Sequence, residues 1–209
     1  MRTPAAKGSK KKRTRLPADV RAQQLLDAAL VEFSNHGFAA TRIEDIAHRA
    51  GLSKSGVYAH YASKEAIFEA LLEHAFRIRD AQLFVVDADA TLEALVDRFV
   101  DHCYTEMADP VRVGMLRLLI TESARVPGLI QRWHAEVLAP FRHAQAGLMA
   151  KAVADGRLRK GPLTDQVALL HAPVLYAATT EMVLRNGALA DPHWRAAHKQ
   201  MLLTLLTAS

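Results

Sequence analysis

The reading of the fold turns on TRIEDIAHRAGLSKSGVYAHYASK, residues Thr41–Lys64. Two short helical segments flank a tight turn. Thr41 and Glu44 have capping-box spacing, so the first segment is expected to open at Thr41 and run to about Ala50. Gly51 lacks a Cβ and can take the left-handed conformation that ends a helix. Ser53 is the expected N-cap of the second segment, which continues to about Tyr61. Ala47 is small enough to let the two segments cross closely, and Ile43, Ile46, Leu52 and Val57 fill the space between them. The pattern predicts a helix-turn-helix whose second helix projects as a rod that fits a major groove.

The flanking sequence is helical as well. Leu26, Ala29, Leu30 and Phe33 recur at three- and four-residue spacing, marking a helix from about Ala18 to Asn35, opened by Pro17 and ended by Gly37. Ser63 should cap a fourth helix carrying Ile67, Phe68, Leu71, Leu72, Ala75 and Ile78 into the mid-80s. After Asp87–Ala90, Thr91 caps a helix with Leu92, Leu95, Val96, Phe99 and Cys103 on one face. Pro110 and Pro127 bracket the next. A long segment then runs from Pro127 to about Ala154, kinked at Pro140 and closed by Asp155-Gly156. Pro162 opens a helix to about Arg185 with a kink at Pro173, and Asp191-Pro192 starts the last. About nine helices and no strand make the chain all-α.

Composition narrows the function classes. The chain has 209 residues, half of them hydrophobic and 23% charged, which is enough to bury a core. One cysteine excludes a disulfide framework and a four-cysteine zinc site. Ten histidines include no i, i+4 pair, so no metal site and no cofactor is expected. Phosphate loops, nucleophile elbows and paired-histidine zinc helices are missing, which argues against an enzyme. No apolar run is expected to reach the roughly 18 residues of a membrane span, and a cytoplasmic location follows.

The charge is unevenly placed. Residues 1–15 contain Arg2, Lys7, Lys10, Lys11, Lys12, Arg13 and Arg15 and no acid, which exceeds the whole net charge of +5. This segment reads as a disordered basic arm, either a solubilising tail or an arm that neutralises phosphates. Residues 16–65 hold Arg21, Arg42, Arg49, Lys54 and Lys64 against six acids, a net of about −1. The domains expected are therefore 1–15 (arm), 16–65 (helix-turn-helix) and 66–209 (a helical C-terminal domain).

The stretch from Arg21 to Phe68 resembles the DNA-binding domain of TetR/AcrR-type transcriptional regulators. The matching residues are Ala28-Ala29-Leu30, Phe33, Gly37, Thr41, Ile46-Ala47, Ala50-Gly51, Ser53-Lys54-Ser55 and the run YAHYASKE from Tyr58 to Glu65. The resemblance implies a dimeric, sequence-specific regulator of transcription with a small-molecule effector bound in the C-terminal domain. It also implies phosphate contacts at Tyr58, His60 and Lys64.

The chemistry of the side chains fits these roles. Lys54 can donate to guanine or phosphate, Ser53 and Ser55 can serve either, and Gly56 allows close backbone approach. Thr41 and Arg42 stand at a helix start, where a phosphate is favoured. The other reading of His60 and Tyr61 is packing against the first helix. A dimer on a palindromic DNA operator would use two stripes of the last helices: Leu163, Val167, Leu170, Val174, Ala178 and Met182, and Trp194, Met201, Leu202 and Leu205. Candidate ligand contacts are Tyr104, Met107, Met115, Leu119, Trp133, His134, Phe141 and Tyr176, which favour an apolar or aromatic molecule. The leading expectation is a repressor released from DNA by its ligand. A ligand-independent activator or architectural protein, and a C-terminal half that mainly binds a protein partner, stay open as alternatives.

Overall fold

The computed structural model describes residues 17–76 and 90–208. The basic arm and the stretch 77–89, into which the fourth helix was expected to continue, lie outside them. Eleven α-helical segments are present among the described residues: α1 (Ala18–Ala40), α2 (Ile43–Arg49), α3 (Lys54–Tyr58), α4 (Lys64–Ala75), α5 (Leu92–Met107), α6 (Pro110–Glu122), α7 (Pro127–Trp133), α8 (Ala139–Ala154), α9 (Pro162–Asp165), α10 (Ala172–Leu184) and α11 (Pro192–Leu206). A π turn, His134–Leu138, joins α7 to α8, and a 3-10 turn, Val167–His171, leads into α10. Pro140 and Pro173 fall in the first turns of α8 and α10, where their missing N–H groups cost nothing. The two kinks expected from sequence are thus the places where each long segment changes its helical pitch.

The chain buries two cores. The first joins α1–α4: Leu25, Ala29, Phe33, Ile46, Val57, Ile67, Phe68, Leu71 and Leu72 are all at most 1% exposed. Phe33, Phe38 and Phe68 meet with ring centroids 5.2–5.9 Å apart, tying the end of α1 to α4. Met115 and Leu118 of α6 and Leu129 of α7 belong to this same core. The boundary expected at residue 65 therefore does not divide the packing: α4 and the inner faces of α6 and α7 are continuous with the helix-turn-helix. Gly114 of α6 faces Leu30 of α1, at a distance where a Cβ would make ordinary contact.

The second core is built from α5, α8, α9, α10 and α11. It contains Val96, Phe99, Tyr104, Met149, Leu163, Val167, Leu170, Val174, Ala178 and Leu202. This corrects the expected dimer stripes. Leu163, Val167, Leu170, Val174 and Ala178 face inward, and Met201, Leu205 and Trp194 are half-buried against the same core. Met182 is half-buried too. The periodicity located an apolar face correctly, but α10 has two of them. On the other, Leu175, Tyr176, Val183 and Leu184 are 39%, 60%, 77% and 64% exposed.

With apolar residues on both sides, Val167–Leu184 reaches a mean hydropathy of 1.4 over 18 residues, long and apolar enough to cross a membrane. The expectation that no run attains this length is corrected accordingly. The stretch opens in a 3-10 turn, and one of its sides is built into the second core.

Candidate nucleic-acid interface

The local sequence accounts for how α3 is presented. Gly51, at φ +66°, turns the chain between α2 and α3, and no atom lies within 4 Å of where a Cβ would be. The Ser53 hydroxyl accepts from Gly56 N at 3.1 Å, closing the first turn of α3. Val57 is fully buried and anchors α3 to Ile43, Ile46 and Ala47 of α2. Facing away from that anchor, Lys54, Ser55, Tyr58 and His60 are exposed. Packing claims Tyr61, which is half-buried on the first core, and not His60. Burial raises the Tyr61 phenol above its ordinary range.

At the α1–α2 corner, the predicted DNA-binding residues Thr41, Arg42 and Lys64 have intramolecular work. Thr41 is 2% exposed, and its hydroxyl donates to Gly37 O at 2.8 Å and Glu32 O at 3.2 Å. It closes the end of α1 and cannot meet a phosphate without unpacking. The N-cap of α2 is Arg42, whose backbone N–H donates to Asp45 Oδ2 at 3.1 Å. Only half of a capping box forms, one residue later than the Thr41–Glu44 pair expected, since the Arg42 guanidinium has no acceptor to offer the Asp45 amide. Lys64 points its ammonium at three carbonyls, Phe38 O, Ala39 O and Thr41 O, at 2.7, 3.1 and 2.9 Å, and stands over the Phe38 ring at 4.7 Å. All three of its donors are used, so it holds the α1–α2 corner rather than a free charge toward DNA.

That corner is also gripped from the C-terminal side. Gly37 has φ +78° within α1, breaking the helical run. Glu122, the last residue of α6 and only 3% exposed, accepts from Phe38 N at 3.3 Å. Its other oxygen accepts from Arg125 at 2.9 Å. Glu32, 6% exposed, pairs with Arg49 of α2 and with His36. From sequence Glu122 reads only as a possible polar contact for a ligand; its hold on the corner is not visible there, because its partner lies 84 positions away. Glu44, which pairs with Lys54 at 2.6 Å, was read only as a cap and is a further residue missed at this face.

The expected ligand contacts are not brought together. Tyr104 and Met107 are buried in the second core, whereas Met115 is buried in the first. Leu119 and Trp133 border the first core, Trp133 lying against Phe76 with ring centroids 5.4 Å apart. His134 is exposed, Phe141 is half-buried, and Tyr176 stacks on Trp194 at the surface. A cleft of about 440 Å³ lies elsewhere, lined by Val113, Gly114 and Arg117 of α6 together with Glu181 and Leu189. Cys103 is buried, and burial pushes its thiol up to about 12, so it is inert. Among the described residues no group of three or more His, Cys, Asp or Glu side chains could hold a metal ion.

Comparison with known proteins agrees with this geometry. Residues 25–71 match the family described as "Bacterial regulatory proteins, tetR family", and residues 91–162 match "AefR-like transcriptional repressor, C-terminal domain". The chain is 32% identical over 145 residues to the HTH-type transcriptional repressor SCO4008 of Streptomyces coelicolor, covering 69% of this chain and 68% of that protein. It is 35% identical over 99 residues to the HTH-type transcriptional activator FasR of Mycolicibacterium smegmatis, covering 45% of each. The fold matches the crystal structure of a TetR family transcriptional regulator from Pseudomonas syringae pv. tomato, with a TM-score of 0.71, 22% identity and coverage of 91% of this chain and 99% of that one. An outward recognition helix braced by α1 and α2, together with a family match on both sides of residue 90, leads to one conclusion: the chain belongs to the TetR family of DNA-binding transcriptional regulators and is not an enzyme.

Proposed function

We propose that this protein is a homodimeric repressor that binds a palindromic operator in the cytoplasm and leaves it when a small molecule binds the C-terminal domain. The observation that carries the DNA side of this reading is the exposed face of α3, with Lys54, Ser55, Tyr58 and His60 turned away from a buried Val57. One short helix reads few base pairs, and a two-fold dimer doubles the site. The exposed apolar face of α10 supports dimerisation, because Leu175, Val183 and Leu184 are 39%, 77% and 64% exposed, and Tyr176, though stacked on Trp194, is 60% exposed. Repression is favoured over activation by SCO4008, the repressor aligned over two thirds of its length, and by the match to a repressor C-terminal domain.

The cleft beside α6 gives the effector a place from which to act. Its wall carries Gly114, whose own Cα faces Leu30 of α1, so the cleft borders the contact between α6 and α1. A ligand that displaces α6 would move α1 and, through Glu122, the corner that sets α2 and α3. Selection of bound duplexes from a random pool tests the whole reading. A two-fold symmetric consensus is expected, with half-sites about one helical turn apart (~10 bp) or a multiple of that. Failure to enrich any sequence, at any ionic strength that permits binding, would refute it.

A further inference from the structure

On the face that α3 presents, one exposed side chain has the wrong sign for meeting phosphates. Glu44 stands in the first turn of α2, its side chain 55% exposed, and its Oε1 lies 2.6 Å from Lys54 Nζ, also 55% exposed. Lys54 is the first residue of α3 and its only basic one. The helix-turn-helix region is already slightly acidic, so an uncompensated carboxylate here weakens general attraction to DNA. Its neighbour Asp45 is turned back onto the Arg42 backbone, and Glu32 is buried; Glu44 alone of these three faces α3.

The pair forms an adjacent donor and acceptor about one hydrogen bond apart. The major-groove edge of a G·C pair carries the complementary arrangement: guanine O6 accepts beside cytosine N4, which donates. Those two atoms are hydrogen-bonded to one another across the base pair and so lie ~2.9 Å apart. We propose that Glu44 and Lys54 read the orientation of a single base pair as one unit, Lys54 donating to a keto oxygen (guanine O6 of G·C or thymine O4 of T·A) while Glu44 accepts from the amino group across the pair (cytosine N4 or adenine N6). An ammonium has three donors, so Lys54 can bond the base and keep its bond to Glu44. In the same placement an A·T pair sets adenine N6 against the ammonium and thymine O4 against the carboxylate, like facing like at both positions. Reversing the G·C pair has the same result. A T·A pair, with thymine O4 in the place of guanine O6 and adenine N6 in the place of cytosine N4, offers the same pattern as G·C and is accepted, so the acid costs general affinity and rejects two of the four pairs, A·T and C·G.

The test compares wild type, Glu44→Gln, Glu44→Ala and Lys54→Gln by selection from a random duplex pool. Each is then titrated on its consensus and on random-sequence duplex at fixed salt. Wild type is expected to show, at one position of each half-site, guanine or thymine on one strand with adenine and cytosine excluded there. Both Glu44 variants should relax that position by roughly tenfold, since a good base contact discriminates by about that much. They should also bind random duplex more tightly than wild type does. Lys54→Gln should relax the same position while weakening both duplexes. This opposed pattern, weaker discrimination with stronger general binding, is not expected from a disturbed fold. A wild-type consensus that survives both Glu44 substitutions at every position would overturn the pair. A wild type that enriches nothing would overturn the DNA-reading assignment on which the pair rests.

Discussion

Removal of the Glu122 carboxylate should be felt where α6 meets the end of α1 in the first core. Glu122 accepts from the Phe38 amide, and Phe38 is itself only 7% exposed, so in Glu122→Ala that N–H is left buried without an acceptor. An orphaned buried donor costs about 1–3 kcal/mol. The accompanying pair with Arg125 adds little, because that guanidinium is 63% exposed. For a chain of this size, a loss of about 2 kcal/mol lowers Tm by about 4–8 °C. Glu122→Gln keeps an oxygen for the Phe38 amide and should show a smaller shift. Calorimetry gives the Tm, and amide exchange followed at Phe38 locates the effect, with faster exchange expected in Glu122→Ala than in Glu122→Gln. An unchanged Tm together with wild-type protection of the Phe38 amide in Glu122→Ala would refute the argument that this carboxylate secures the corner.

Burial beside Phe99 lowers His171 from 6.5 to about 4. The native ring stays neutral where the unfolded one takes up a proton, so its contribution is complete above about pH 6.5 and fades as pH falls toward 4. The contribution amounts to as much as about 3 kcal/mol, and denaturant unfolding of His171→Leu should show a flatter stability profile across that window. Thr41→Val should cost about 1 kcal/mol through the lost hydrogen bonds to Gly37 and Glu32, yet leave the salt dependence of DNA binding unchanged; a reduced salt slope would return Thr41 to the phosphate-contacting set. Val183→Asp, at a position 77% exposed in the single chain, should leave the unfolding of the protomer intact and give monomers in sedimentation; a persistent dimer would place the interface elsewhere. Deleting residues 1–15 should weaken DNA binding and flatten its dependence on salt, and an unaltered slope would identify the arm as a solubilising tail.

The sequence disclosed what is local. Ser53, Ser63 and Thr91 cap helices where their spacing to the following apolar residues places them, with hydroxyls 3.1–3.2 Å from the third amide onward. Gly51 ends α2, and Pro140 and Pro173 mark the joins between helical segments. Errors arose where the deciding contact is distant in sequence. Lys64 and Thr41 look like phosphate contacts until carbonyls at 37–41 and at Glu32 are brought beside them. The stripe from Leu163 to Ala178 is apolar and periodic, but periodicity cannot say which of two apolar faces a protomer buries. The candidate ligand residues failed for a related reason, since Met115 and Tyr104 are equally apolar and belong to different cores.

The part that α6 and α7 take in the first core limits how the molecule can be divided. A fragment ending at residue 76 would retain α1 and α4 but lose Met115, Leu118, Val126 and Leu129, leaving an oily flank where those side chains pack. Grafting this DNA reader onto a foreign sensory half therefore demands more than joining two pieces at a loop. The recipient must supply its own residues of matching shape at 114, 115, 118 and 129, or the transplanted reader will sit on a poorly fitting seat and lose its alignment with the groove.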